Sequence, residues 1–128
     1  MPQFLSQEWL DLQTKYAQEL PERPGVSARL QYKITGAPDG EVTFHTVIDN
    51  GRISENGIGE DAATDFAMTL PHKEFVRVAK GEVDASALFM QGKLKVVGST
   101  RTLMALLPMT QSPEYRELTA KLSAETEY

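Results

Sequence analysis

Two histidines and a scatter of carboxylates are what this 128-residue chain offers for chemistry, and it has no cysteine at all. His45 lies between Phe44 and Thr46, and His72 follows Pro71. Neither belongs to a His-Glu-x-x-His or comparable ligand spacing, so both are expected at the surface. Without cysteine, thiolate metal sites, disulfides and a thiol nucleophile are excluded from the sequence. No Gly-x-Ser-x-Gly elbow is present, which removes that class of serine hydrolase. Glu60 and Asp61 are adjacent carboxylates in a glycine-flanked loop and should only solvate a turn; nothing predicts two carboxylates held across a cleft. Gly57-Ile58-Gly59-Glu60-Asp61-Ala62 has the outward form of a dinucleotide loop. However, Glu60 and Asp61 would put negative charge where a pyrophosphate docks, and the residues that follow read as a strand. The sequence therefore predicts no catalytic residue, no metal site and no cofactor.

What remains is apolar. The second half of the chain concentrates large, flexible side chains: Phe66, Met68 and Phe75, then Leu88, Phe89 and Met90, then Leu103 through Met109. Methionine fills irregular space and suits promiscuous apolar surfaces. From periodicity alone such stripes are either ordinary core or the wall of an apolar site, and both readings stand at this point.

The elements that would position these residues can be read from the spacing. Leu5, Trp9, Leu12, Tyr16 and Leu20 recur every three or four residues, which predicts an amphipathic helix over 6–20 with Ser6 as its cap. From Val26 the period becomes two. Val26, Ala28, Leu30, Tyr32 and Ile34 predict one strand; Val42, Phe44, Thr46 and Ile48 a second; Arg52–Asn56 a third; and Phe66, Met68 and Leu70 a fourth. A helix should start after Pro71 and stop at Gly81. A short helix over Asp84–Met90, a fifth strand over Lys93–Gly98, an apolar segment over Thr100–Leu107 and a helix over Pro113–Ser123 complete the chain. Strands grouped early and helices late predict an α+β fold, with an antiparallel-rich sheet covered on one face and wet on the other.

Composition bounds the function classes further. At 128 residues, 41% hydrophobic and 24% charged, the chain fits one domain over 1–128 with a core that needs no metal or disulfide. The net charge of −5 argues against non-specific nucleic-acid binding. Charge is uneven: residues 72–101 carry six Lys/Arg against three Asp/Glu, while residues 1–71 carry five against eleven. That basic third is either a solvated face or a place for an anionic headgroup. No apolar run is long enough to span a bilayer. The ends show neither a secretory leader nor a Ser-Lys-Leu-type address, so a cytoplasmic location is expected.

One ordered set of pieces is more specific. Ala63-Thr64-Asp65-Phe66-Ala67-Met68-Thr69-Leu70 is followed by the Phe75 helix ending at Gly81. Then comes Asp84-Ala85-Ser86-Ala87-Leu88-Phe89-Met90-Gln91-Gly92-Lys93-Leu94-Lys95-Val96-Val97-Gly98. This arrangement resembles the sterol carrier protein 2 family, which has an Ala-Asp strand, a glycine-closed helix, and a short helix leading into Gly-Lys-Leu-Lys-hydrophobic-x-Gly. The likeness covers about residues 5–109. It implies a five-stranded sheet whose covering helices enclose a hydrophobic tunnel, and non-catalytic binding and intracellular transfer of a fatty acid, acyl-CoA, phospholipid or sterol. Carried over by position, the tunnel wall would include Phe66 and Met68, Phe75 and Val78, Phe89 and Met90, and Leu103, Leu106 and Leu107. Arg101, with Lys73 and Arg77, becomes a candidate for a headgroup at the mouth, although Ser99-Thr100-Arg101-Thr102 departs from the Asp/Asn and glycine residues that often follow in the family. The helix over 113–123 would be a lid, a dimer contact or core cover. The missing peroxisomal address fits a bacterial or otherwise cytosolic member, acting as monomer or homodimer with transient membrane contact. The alternative function is an accessory or dimerisation domain that uses the apolar groove to associate with itself or a partner enzyme.

Overall fold

The computed structural model describes residues 1–61 and 63–128. Ala62, the last residue of the Gly57–Ala62 stretch, lies outside the described residues. Helix α1 (Gln7–Ala17) is capped by Ser6, whose Oγ accepts the Trp9 N–H at 3.2 Å. It is shorter than the 6–20 expected. After Ala17 the backbone tightens into i→i−3 bonds, Gln18 N–H to Lys15 O, Glu19 N–H to Tyr16 O and Leu20 N–H to Ala17 O, ahead of Pro21, which disfavours helical backbone at the residue before it.

Strands β1 (Ala28–Thr35), β2 (Val42–Asp49), β3 (Arg52–Ile58), β4 (Phe66–Pro71) and β5 (Lys95–Gly98) form one sheet in the order β3-β2-β1-β4-β5. β1 and β4 run parallel, and the other neighbours antiparallel. The fold is thus α+β with a mixed, antiparallel-rich sheet. Register places Leu30 beside Phe66, and Tyr32 between Phe44 and Met68. With side chains alternating, all of these face one side. β3 extends past the expected end at Asn56, because Gly57 and Ile58 still pair with His45 and Phe44.

Helices α2 (His72–Ala79), α3 (Ala85–Met90), α4 (Thr100–Thr110) and α5 (Pro113–Ala124) follow. α4 continues through Pro108 to Thr110, although Pro108 has no N–H for the Met104 carbonyl. α3 closes on Gly92 at φ +75°: the Gly92 N–H reaches Phe89 O (3.2 Å) and the Lys93 N–H reaches Leu88 O (2.9 Å). This paired closure needs a left-handed residue, which glycine adopts without strain. The two chain ends meet, with the Phe4 N–H on Glu127 O at 2.8 Å and the Glu127 N–H on Pro2 O at 2.9 Å.

The core is continuous from the α1 face of the sheet to α5. Phe4, Trp9, Phe44 and Phe75 form an aromatic cluster in which Tyr32 stacks on Phe44 with centroids 4.6 Å apart and planes at 15°. The expected surface position of His45 needs correcting. Its side chain is only 16% exposed, its Nδ1 lies 3.1 Å from Gly59 O, and Gly57 leaves the room its ring occupies. His72 is half-buried, edge-on to Phe4. Asp61 does more than solvate a turn. It accepts the Ala63 N–H and pairs with Arg29 at 2.9 Å. The Ala63 N–H first, and then Arg29, hold its carboxyl below the ordinary range.

Candidate ligand-binding cavity

Between the helices and the sheet lies a cavity of about 550 Å3, within the roughly 300–1,000 Å3 usual for small-molecule sites. Its floor is the covered face of the sheet, with Leu30 and Tyr32 from β1, Phe44 and Thr46 from β2, and Phe66 and Met68 from β4. The alternation that forms the strands therefore also makes the floor. Phe75 and Val78 of α2 form one wall. Leu103, Leu106 and Leu107 of α4 form another, and Trp9 of α1 also borders the space. α5 adds Tyr115, Thr119 and Leu122, one side chain per turn. Lys80, Glu82, Asp84, Gln111 and Arg116 also border the space, and all five are exposed. That side is the mouth. Arg116 approaches Asp84 across it at 3.9 Å, and Lys80 lies 4.9 Å over the Tyr128 ring.

The positions expected for an apolar wall are brought together with one exception. Phe66, Met68, Phe75, Val78, Phe89, Leu103, Leu106 and Leu107 all border the cavity. Met90 does not, being 86% exposed. α3 has only six residues, and Leu88 takes its buried position, so the last side chain of the helix turns outward. The three basic candidates for the mouth also lie off the lining. Arg77 is drawn to Glu74 at 2.9 Å, and that carboxylate also meets Lys93 at 3.9 Å. Lys73 and Arg101 are exposed away from the cavity. The cations that do line it are Lys80 and Arg116.

The sequence reading missed the contributions of β1, β2 and α5. The alternation carried the signal for Leu30, Tyr32, Phe44 and Thr46, because residues on one face of a sheet share whatever covers it. Tyr115 and Thr119 were hidden because an α5 stripe reads equally as core.

Most polar groups on the wall are already occupied. Thr46 Oγ1 donates to Asn56 Oδ1 at 2.8 Å, Gln13 Oε1 accepts from Asn56 Nδ2 at 2.6 Å, and Ser123 Oγ meets the Tyr128 hydroxyl at 2.8 Å. Burial pushes the Tyr32 phenol far above its ordinary range, and the neighbouring Tyr115 phenol adds to this. Burial raises Tyr115 likewise. Both are neutral phenols at any physiological pH. Among the described residues no group of three His, Cys, Asp or Glu could hold a metal, and no helix is long and apolar enough to cross a membrane. A second, shallower hollow of about 290 Å3 lies at the open face of the sheet, around Ser27, Arg29, Val47 and Asp65.

Comparison with known proteins adds the following. The profile of the SCP-2 sterol transfer family matches residues 8–111. No curated protein matches the chain. A crystal structure of sterol carrier protein 2 superposes with a TM-score of 0.71 at 18% identity, covering 98% of this chain and all of that one. The solution structure of palmitated SCP2L2 from Aedes aegypti gives 0.64 at 14% identity, over 80% of this chain and 89% of the other. The sec-alkylsulfatase Pisa1 from a Pseudomonas species gives 0.52 at 18% identity, over 75% of this chain but only 14% of the enzyme.

Proposed function

From the premise that the chain belongs to the SCP-2 sterol transfer family, we propose that it binds a lipid in the cavity under α2, α4 and α5 and carries it without chemically altering it. The enclosed, mostly apolar cavity of about 550 Å3 carries this reading. A sixteen-carbon tail placed there gains on the order of ten kcal/mol gross at roughly 0.8 per methylene, before ordering costs. That is ample for micromolar affinity. The wall would be Phe66, Met68, Phe75, Val78, Phe89, Leu103, Leu106 and Leu107, with Leu30, Tyr32 and Phe44 as floor. The structural relative that carries palmitate supports the same use of the fold. At the mouth, Lys80 and Arg116 replace Lys73, Arg77 and Arg101 as the cations that would meet a headgroup.

The test is a titration of delipidated protein with a fluorescent fatty acid. Saturable binding with a dissociation constant below about 100 μM is expected, and its absence overturns the proposal. An accessory role is the second reading, favoured by one observation: a similar fold occupies a small part of an alkylsulfatase. It requires association through the apolar surface near α4, where Met104 is 51% exposed. A stable dimer by light scattering, lost on Met104→Glu, together with no ligand uptake, would establish it instead.

A further inference from the structure

The tyrosines Tyr32 and Tyr115 border the cavity from opposite sides, one on β1 and one on α5. Both are half-buried, and Tyr115 lies near enough to Tyr32 to push its phenol further up. Neither hydroxyl has a hydrogen-bond partner among the described residues. Yet among the described residues no side-chain polar atom that is sealed from solvent lacks a partner. The two hydroxyls therefore face open space, and the open space beside them is the cavity. Thr119, one turn after Tyr115 on the same helix, also borders the cavity, its hydroxyl unengaged among the described residues. In contrast, Thr46, Gln13 and Ser123 on the same lining are occupied by protein partners.

A buried hydroxyl without a partner is costly. An occupant that is hydrocarbon throughout would strip water from both phenols and leave them unpaired. An occupant with an oxygen at that depth would satisfy them. A carboxylate is disfavoured there, since the lining cations sit at the exposed mouth, Arg116 facing Asp84 and Lys80 against the Tyr128 ring. An anion held deep in a low-dielectric space without a counter-charge is expensive.

Resting on the lipid-binding reading, we propose that Tyr32 and Tyr115, with Thr119, form an internal polar subsite that selects apolar molecules bearing a neutral hydroxyl or carbonyl oxygen over pure hydrocarbons. One phenol donates to the ligand oxygen, and a ligand hydroxyl donates in turn to the other.

The experiment measures displacement of a bound fluorescent fatty acid by two matched competitors, 5α-androstan-3β-ol and 5α-androstane, which differ only in the hydroxyl. The wild-type protein is expected to prefer the alcohol by on the order of ten-fold. In the Tyr32→Phe/Tyr115→Phe double variant the alcohol should weaken and the hydrocarbon should tighten, bringing the ratio toward one. Phenylalanine keeps the ring that stacks on Phe44, and the tightened hydrocarbon itself reports that the variant is folded. Equal affinities in the wild type, or an undiminished preference in the double variant, overturn the subsite while leaving lipid binding intact. If the fluorescent fatty acid does not bind at all, the lipid-binding reading fails, and the subsite with it.

Discussion

The two halves of the covered sheet face are built on opposite terms. On one side α1 lies directly on β3, and its side chains finish what the sheet leaves undone. Gln7 Nε2 donates to Asn56 O and Gln7 Oε1 accepts the Ile58 N–H, while Gln18 Nε2 donates to Ile53 O. These bonds occupy backbone groups along the outer edge of β3, which would otherwise invite pairing with another chain. Beneath them Asn56 is 6% exposed and bonded to Thr46, Leu10 O and Gln13. On the other side α2, α4 and α5 stand off the sheet around the cavity. There the wall is mostly apolar, α4 contains a proline, and Tyr32 and Tyr115 border the cavity. The difference teaches a division of labour. The packed half supplies stability and register, which frees the other half to remain hollow, an arrangement no uniformly close-packed core could sustain.

The largest expected effect is a contrast in truncation. Leu10 is fully buried under α1, so Leu10→Ala should destabilise by about 4 kcal/mol through lost burial and a new closed void. Leu103, half-buried on the cavity wall, should cost about 1 kcal/mol when changed to Ala, because it only widens existing space. Urea unfolding of the two variants measures both. Equal losses would mean the hollow half is as tightly packed as the other.

Gly98 is where the hollow half is nonetheless rigid. A Cβ there would sit 2.6 Å from Asp65 O and 2.9 Å from Phe66 Cα, at φ +114°. Gly98→Ala should therefore cost about 3 kcal/mol and displace Phe66, a floor residue, so that probe affinity falls along with thermal stability. A variant with wild-type stability would show that the floor is not pinned by this approach. A smaller effect is expected from filling the space. Leu103→Trp should lower the affinity for a fluorescent fatty acid about ten-fold while changing stability by less than about 1 kcal/mol. If the same substitution unfolds the protein, the comparison of halves is wrong.

How far the sequence reached follows the same division. Element order and the covered face were legible because alternation and helical spacing are local signals. Phe66, Met68, Phe75, Val78 and the α4 leucines were legible as an apolar set for that reason. That they surround a cavity came only through the family resemblance, since a stripe around a void and a stripe in a core have the same periodicity. Met90 misled because chain position, rather than helix length, placed it. Lys80 and Arg116 were out of reach, since a mouth is defined by which helix ends stand apart, and that is a tertiary property. Arg77 was misassigned because its partner Glu74, only 7% exposed, looks like an ordinary surface carboxylate in sequence.

The one predicted effect that vanishes at neutral pH tests the two phenols under alkaline conditions. Tyr32 and Tyr115 both have their folded-state values raised, first of all by burial, whereas the unfolded chain ionises near the usual value of about 10. A raised folded value means the neutral phenol is favoured in the native state. The associated stability is fully present below about pH 10 and is lost as pH rises beyond it toward the folded values. At neutral pH nothing should change. Above pH 10 the unfolding free energy should fall by at most about 1.4 kcal/mol per pH unit for each phenol, and by less to the extent that water enters the cavity. Urea unfolding at pH 8, 10 and 11 follows this slope, and Tyr32→Phe should remove a share of it. Because Phe cannot ionise but packs alike on Phe44, an unchanged slope would locate the alkaline loss elsewhere. It would also mean that Tyr32 meets bulk water, and that the hollow half is open rather than enclosed.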